Sequence, residues 1–342
     1  MANFRWSVAL VLVSAFLVGA QLPAFAKAPE EVKNKAKPAA KVDLAGKKAK
    51  EKGAEKKGKF LRVVQTDGGD PVAMETSVAR YVGKGGKDGV SVELISAVHI
   101  GEASYYTQLN KLFSDYDALL YELVAPEGTK VPKGGGKPTG FVSGLQNGMK
   151  DMLQLEFQLS EVDYTKENFV HADMSPEQFA KAMSDRGESI WTMMATMMGQ
   201  SMAQQASGEA PSDMELLMAL FDSNRALKLK RLMARQFENL DTVTMALSGP
   251  KGSALIEGRN EAALAVLKKQ IEAGKKKIGI FYGAGHMPDM EKRLLADFGL
   301  RPEGERWIEA WDLRDKAPVE KKKKQAPASG KKAKQREPVR AS

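Results

Sequence analysis

Three histidines stand in the 342-residue sequence, and two of them share one local design. Ser96-Ala-Val-His99-Ile-Gly101 closes an apolar run that starts at Val90, and Gly283-Ala-Gly-His286-Met-Pro288 closes another from Ile278 to Tyr282. Runs of this kind read as buried strands. Small residues beside each histidine free the backbone for a tight turn, and Pro288 sits where a helix would begin. Both imidazoles are therefore expected at the C-terminal edge of a strand, facing a helix N-terminus, where ligands gather in α/β sheets. Glu122 lies within Leu120-Tyr-Glu-Leu-Val124, an apolar strand that tolerates a carboxylate only if it is paired or functional. If these strands are neighbours, His99, His286 and Glu122 converge. Such a set can bind Zn, Mn, Fe or Co and leave positions open for water and substrate. Without a metal, either imidazole can act as general base with Glu122 orienting it.

The third histidine, His171, ends the short strand Asn168–Asp173, and Asp173 lies two residues on, toward the same side. Asp173 belongs either to the site, with His171 as a further metal ligand, or to the cap of the helix that follows. Arg259 opens a helix after Gly258 and is placed to stabilise an oxyanion, to bind a substrate carboxylate or to form a surface ion pair. Tyr282 reads as core. The methionines from Trp191 to Met198, with Met202, recur at helical spacing and read as adaptable packing or as the lining for a varied ligand. Nucleophile elbows, HExxH and dinucleotide-binding glycine patterns are missing from the sequence. Gly136-Lys137-Pro138 is not a phosphate-binding loop.

The elements that must carry these residues form an α/β order. Strands are expected at 60–64, 72–82, 90–98 and 118–124, with a helix at 104–113 between the last two, a crossover unit that makes parallel neighbours. The middle, from about 141 to 247, reads as mostly helical. Ser175-Pro-Glu-Gln178 supplies a capping box with Pro at the first helical position. The last third repeats helix (260–273), strand (277–282), helix (287–298) and strand (306–313). A mixed or mostly parallel sheet flanked by helices follows, in one domain over residues 60–315.

Residues 1–26 read as a secretory signal peptide: Arg5, an apolar run from Val8 to Ala20, and Ala24-Phe25-Ala26 before Lys27. The run is shorter than the roughly 20 residues of a transmembrane helix. An exported protein, periplasmic or extracellular and without a membrane span after cleavage, is expected. Cysteine is absent, which excludes disulfides, thiolate ligands and a Cys nucleophile. The net charge of +9 resides outside the expected domain. Lys27–Lys59 has 12 basic and 5 acidic residues, Lys316–Ser342 has 10 and 2, and residues 60–315 carry −7. Both Lys-rich segments lack the apolar residues to bury a core and are expected to be disordered tails, either solubilising or adhesive to anionic surface polymers, lipid head groups or nucleic acid. The acidic domain argues against specific nucleic-acid recognition.

Ser96-Ala-Val-His99, Glu122, Glu257-Gly-Arg-Asn260 and Gly283-Ala-Gly-His286-Met-Pro resemble the TraB/TIKI superfamily. That group includes TraB-type pheromone-shutdown proteins, TIKI Wnt-inactivating proteases and GumN-like bacterial proteins, with erythromycin esterases as distant relatives. Its hallmark is two Gly-x-x-His motifs with a Glu and an Arg. The late motif matches in full, and Ser96 replaces the Gly of the early one. The resemblance spans about residues 90–298. It implies an α/β sheet of two related halves and metal-dependent hydrolysis, of a peptide bond in the TIKI members. The reading that follows is an exported hydrolase acting on a peptide or ester-type small-molecule substrate through His99, His286, Glu122 and Arg259. A divalent metal (Zn, Mn or Co) would be held by His99, His286 and Glu122, with His171 and Asp173 as further candidates. The alternatives are a non-catalytic protein that sequesters a peptide or other ligand, and a surface-associated protein whose tails supply the function.

Overall fold

The computed structural model describes residues 58–83, 89–134, 150, 152–208, 211–237 and 252–315. The expected signal peptide, the Lys-rich segment up to residue 57 and the segment from residue 316 lie outside the described residues. The first third runs β1 (Leu61–Gln65), β2 (Pro71–Val82), β3 (Ser91–Ala97), β4 (Ile100–Gly101), α1 (Ala103–Phe113) and β5 (Ala118–Tyr121). The middle holds β6 (Glu156–Phe157), α2 (Gln158–Glu161), β7 (Phe169–His171), α3 (Pro176–Arg186), α4 (Ile190–Ser207), α5 (Asp213–Phe221) and α6 (Arg225–Phe237). A π-helical turn, Ala254–Gly258, leads into α7 (Arg259–Glu272), then β8 (Lys277–Gly283), a 3-10 turn (Ala284–His286), α8 (Met287–Ala296) and β9 (Arg301–Asp312).

The fold is α/β with a mixed sheet. Four strands are parallel, in the spatial order β3–β8–β5–β7. β2 joins antiparallel to β3 with its second half and to β1 with its first half, and β9 covers the other edge of β2. β8 comes from the last third of the chain, yet it lies between β3 and β5. The crossover β3–α1–β5 therefore skips one position, and β8 fills it. Element order in the last third follows expectation, but β9 returns antiparallel to β2 rather than extending the parallel set.

Alternation along β8 divides the core. Ile278, Ile280 and Tyr282 face α7 and α8, against Leu264, Leu267, Met290 and Leu294. Phe281 faces α1, against Phe113, Leu119 and Ile95. Gly279 lies on that same face, and a Cβ there would meet Leu119 Cδ1 at 2.7 Å, Ile95 Cδ1 at 3.1 Å and Tyr116 Cδ2 at 3.1 Å. β5 is shorter than expected. It ends at Tyr121, so Glu122 stands one residue past the strand, at the sheet edge, where a carboxylate can find partners. Two tyrosines of α1 brace the end of β3: Tyr105 donates to the Ser96 carbonyl at 3.3 Å and Tyr106 to the Val98 carbonyl at 3.1 Å. Trp311 of β9 is fully buried and donates to the Ile100 carbonyl at 2.7 Å. His99 is thereby fixed between two braced points.

The Met-rich stretch departs from the packing expectation. Met193 packs against Leu255, Phe179 and their neighbours, but Trp191, Met198 and Met202 are exposed. The capping box at Ser175 forms as read, with both its hydrogen bonds present.

Gly279→Val inserts branched carbon into a filled space between β3 and β5. Urea unfolding is expected to show a loss of about 1–3 kcal/mol, typical of overpacking.

Candidate catalytic site

The parallel strands end together, and their C-terminal edges carry the site. His99 follows β3, Glu122 follows β5, Asp173 follows β7, and His286 follows β8 through the 3-10 turn. Arg259 reaches the same edge from the first turn of α7. His99, Glu122, Arg259 and His286 line a cleft of about 560 Å³, counting its open mouth, whose apolar wall includes Leu61, Val98, Ile100, Phe237 and Leu255.

Arg259 is 1% exposed and is held by two carboxylates. Its Nε donates to Asp173 Oδ1 at 3.0 Å, and its Nη2 donates to Asp173 Oδ2 at 2.5 Å and to Glu122 Oε1 at 2.8 Å. The other Glu122 oxygen, Oε2, accepts the Gly283 N–H at 2.7 Å. Burial opposes ionisation of Glu122, but the Arg259 guanidinium, the two imidazoles and the Gly283 amide outweigh it and hold its carboxyl well below the usual range. Arg259 stays charged in turn: burial works against it, and Asp173 and Glu122 more than compensate. Glu122, Asp173 and Arg259 together leave one net negative charge in a buried place.

His286 is 4% exposed. Its Nδ1 lies 2.7 Å from Asn260 Oδ1. Asn260 Nδ2 donates to the His286 carbonyl at 3.1 Å and to Asp289 Oδ2 at 2.9 Å, so the amide oxygen must face the ring. His286 therefore carries its proton on Nδ1 and presents the Nε2 lone pair, 3.6 Å from Glu122 Oε1. Burial, partly offset by Glu122 and reinforced by Arg259, pushes this imidazole down to about 4. At neutral pH it is uncharged. Tyr282 is core, as read: it stacks edge-on against His286 and donates to the Ala172 carbonyl.

His99 is half-buried and is held through the small β4–β6 ribbon. Gln158, just after β6, donates its backbone N–H to the His99 carbonyl at 2.9 Å. Its Oε1 faces His99 Nδ1 at 3.2 Å while its Nε2 donates to Tyr164 Oη at 2.9 Å. Nε2 of His99 again points inward. A Cβ on Gly283 would lie 3.4 Å from Glu122 Oε2, 3.6 Å from His99 Nε2 and 3.9 Å from His286 Cδ2. The absence of a side chain at Gly283 thus leaves the hollow that the two rings and the carboxylate surround.

The chain matches no family model, no curated protein and no solved structure. Geometry therefore decides which expected residues belong together. His99, His286, Glu122 and Arg259 do, and Asp173 joins them through Arg259 while also accepting the Met174 N–H at 2.8 Å. His171 does not: its ring nitrogen Nε2 lies 2.6 Å from the Leu123 carbonyl and donates to it.

The same contacts bear on the expected metal centre. Among the described residues no three His, Asp or Glu side chains group so as to hold a metal ion. Both Asp173 oxygens face Arg259, His171 faces a carbonyl, and both Glu122 oxygens already have donors. The two Nε2 lone pairs stay open and each Glu122 oxygen keeps a lone pair beyond its hydrogen bond, but no third ligand is grouped with the two rings so as to complete a Zn, Mn or Co centre. Asn260 and Gln158 were not singled out for the site from sequence, and Gly283 was read only as a turn residue of the motif. Asn260 stands beside Arg259 in the quoted Gly-Arg-Asn, and its amide in a first helical turn was the available signal.

Low pH should expose the burial of His286. The unfolded imidazole takes up a proton near 6.5 and the folded one near 4, so the unfolded state binds more protons between those values. Stability from this group is complete above 6.5 and falls as pH drops toward 4, by on the order of 3 kcal/mol. Denaturant titrations from pH 7 to 4 should show this slope, and His286→Gln should lack it. Arg259→Met leaves two buried carboxylates facing each other. It should lose about 3–5 kcal/mol at pH 7 and recover part of this in acid, read by the same titrations.

Proposed function

We propose that this chain is an exported hydrolase of acyl bonds, ester or peptide, working through a metal-independent two-histidine centre. The observation that carries the reading is the convergence of the His99 and His286 Nε2 edges and Glu122 around the side-chain-free Gly283, at the base of an apolar cleft. The order of motifs shared with the TraB/TIKI superfamily supports the same reaction class.

In this reading a water molecule occupies the hollow. His286, neutral and locked by Asn260, accepts a hydrogen bond from it and cannot donate one from Nε2. His99, the more accessible ring, takes the second proton as the water oxygen attacks the substrate carbonyl. The negative charge of Glu122 stabilises the imidazolium that forms. The carbonyl oxygen becomes an oxyanion, for which the turn Ala284–His286 lining the cleft offers the nearest backbone donors. Collapse breaks the acyl bond, and the departing alkoxide or amine takes the proton from His99. Arg259 acts as a positioning residue. It keeps Glu122 ionised and aimed.

The apolar wall favours substrates whose acyl group is apolar. A panel of p-nitrophenyl esters of increasing chain length, with a set of short peptides, tests this with the chain from Lys27 onward. His99→Ala is expected to lower kcat/KM by about 10²–10⁴-fold. Gly283→Ala, at a φ of −54° that any residue adopts, should keep the fold, fill the hollow and lower activity comparably. Chelators should leave the rate unchanged. Absence of hydrolysis across the panel, or an active His99→Ala, overturns the enzyme reading; saturable ligand binding without turnover would favour sequestration.

A further inference from the structure

We propose that the helical arm formed by α4, α5 and the start of α6 anchors the protein on an anionic lipid surface. α5 exposes Met214, Leu217, Met218 and Phe221, the last 84% exposed. α4 exposes Trp191 at 78% and Met202, and none of its 18 residues is charged. Isolated exposed apolar side chains are ordinary, but a series on two consecutive helices marks an interaction surface. No helix among the described residues is long and apolar enough to cross a membrane. Exposed apolar helix faces flanked by cations can lie in the headgroup boundary instead.

What covers this face is indicated by the charge that leaves beside it. α5 packs on α6, and α6 packs on β1. Two contacts clamp α6: buried Lys230 donates to Glu102 Oε1 at 2.8 Å, and Arg231 Nε donates to the Leu313 carbonyl at 2.8 Å. Arg231 Nη2 also pairs with Asp315 at 3.1 Å. The next residue begins Lys316–Ser342, with 10 basic and 2 acidic residues. At the other end, β1 starts just after Lys27–Lys59, with 12 basic and 5 acidic residues. The C-terminal Lys-rich segment thus departs next to α6, while the N-terminal one ends at Lys59, which pairs with Glu291 of α8. Arg225 and Lys228, exposed at its start, add two cations beside Phe221. Exposed apolar side chains on α4 and α5, with cations at the start of α6 and in the segment that leaves beside it, supply the two complementary signals that stable binding to an anionic bilayer needs. A second copy of this chain would set these positive segments against each other. A soluble polyanion would engage the lysines and leave Phe221 and Trp191 in water. This anchoring does not depend on the hydrolytic reading.

Residues 27–342 are co-sedimented with phosphatidylcholine vesicles, with and without phosphatidylglycerol, while tryptophan emission is recorded. Binding is expected to require phosphatidylglycerol and to shift the emission to the blue, a shift that Trp191→Phe removes. The triple variant Leu217→Ser, Met218→Ser, Phe221→Ser should weaken binding by about a hundredfold or more with unchanged thermal unfolding. Deletion of Lys316–Ser342 should weaken it by roughly tenfold or more. Three outcomes overturn the proposal. The triple variant could bind like the parent, which would assign binding to the lysines alone. No vesicle of either composition could bind. Or the face could prove to be covered by a concentration-dependent dimer that the triple variant abolishes.

Discussion

One buried cation organises the centre of this protein. Arg259 lies between Glu122 and Asp173 with almost no exposure, and removing three charges from water is worthwhile only when each finds its partners at hydrogen-bond distance. The three residues come from α7 and from the ends of two adjacent parallel strands. The ion set can therefore form only when β5 and β7 are in register and α7 is seated against them. Glu122 extends the constraint by gripping the Gly283 amide of β8, the strand between β5 and β3. Sheet order, helix placement and site geometry are thus coupled through one guanidinium.

The two imidazoles are held by a different device. Each has its Nδ1 against a side-chain amide oxygen, from Asn260 for His286 and from Gln158 for His99. An amide holds a ring without adding charge, so the site keeps a single surplus negative charge rather than two or three. That charge favours a transient imidazolium, while burial keeps His286 neutral at rest. The floor is polar, with the Nε2 edges of the two rings left open, and the wall above it is apolar. In such a setting an electrostatic interaction is stronger than in water, and a misplaced polar group is correspondingly expensive.

The helical arm follows other rules. The sheet and its two covering layers bury apolar residues on both faces, while α4 and α5 leave several of theirs in solvent. α6 joins the two regimes, since its inward face is pinned through Lys230 and Arg231 and its C-terminal Phe237 reaches the cleft wall. A surface bound by the arm would thus lie on a rigid connection to the cleft. Charge is divided in the same way, with the acidic part in the folded domain and the basic part in the flanking segments.

Much of the local structure was legible in the sequence because it rests on local chemistry. Apolar runs bounded by glycine marked β3 and β8, Ser175 with Pro176 and Gln178 marked the start of α3, and the two strand-end histidines and Glu122 were visible as anomalies of type and place. Their partners were not legible. Asn260 and Gln158 lie 26 residues before His286 and 59 after His99, and no local pattern reveals an amide that will meet a ring across such a separation. Asp173 offered two local readings, helix cap or site, and only the arrival of Arg259 decided between them. The metal set turns on a related matter: residue types name possible ligands, but only the fold brings three to one point, and no such group stands among the described residues. The sequence by itself determined which residues could do chemistry and at which strand ends they would stand. The tertiary structure alone decided that β8 enters between β3 and β5, because strand order depends on burying both sheet faces across the whole chain, and with that order came every contact of the site.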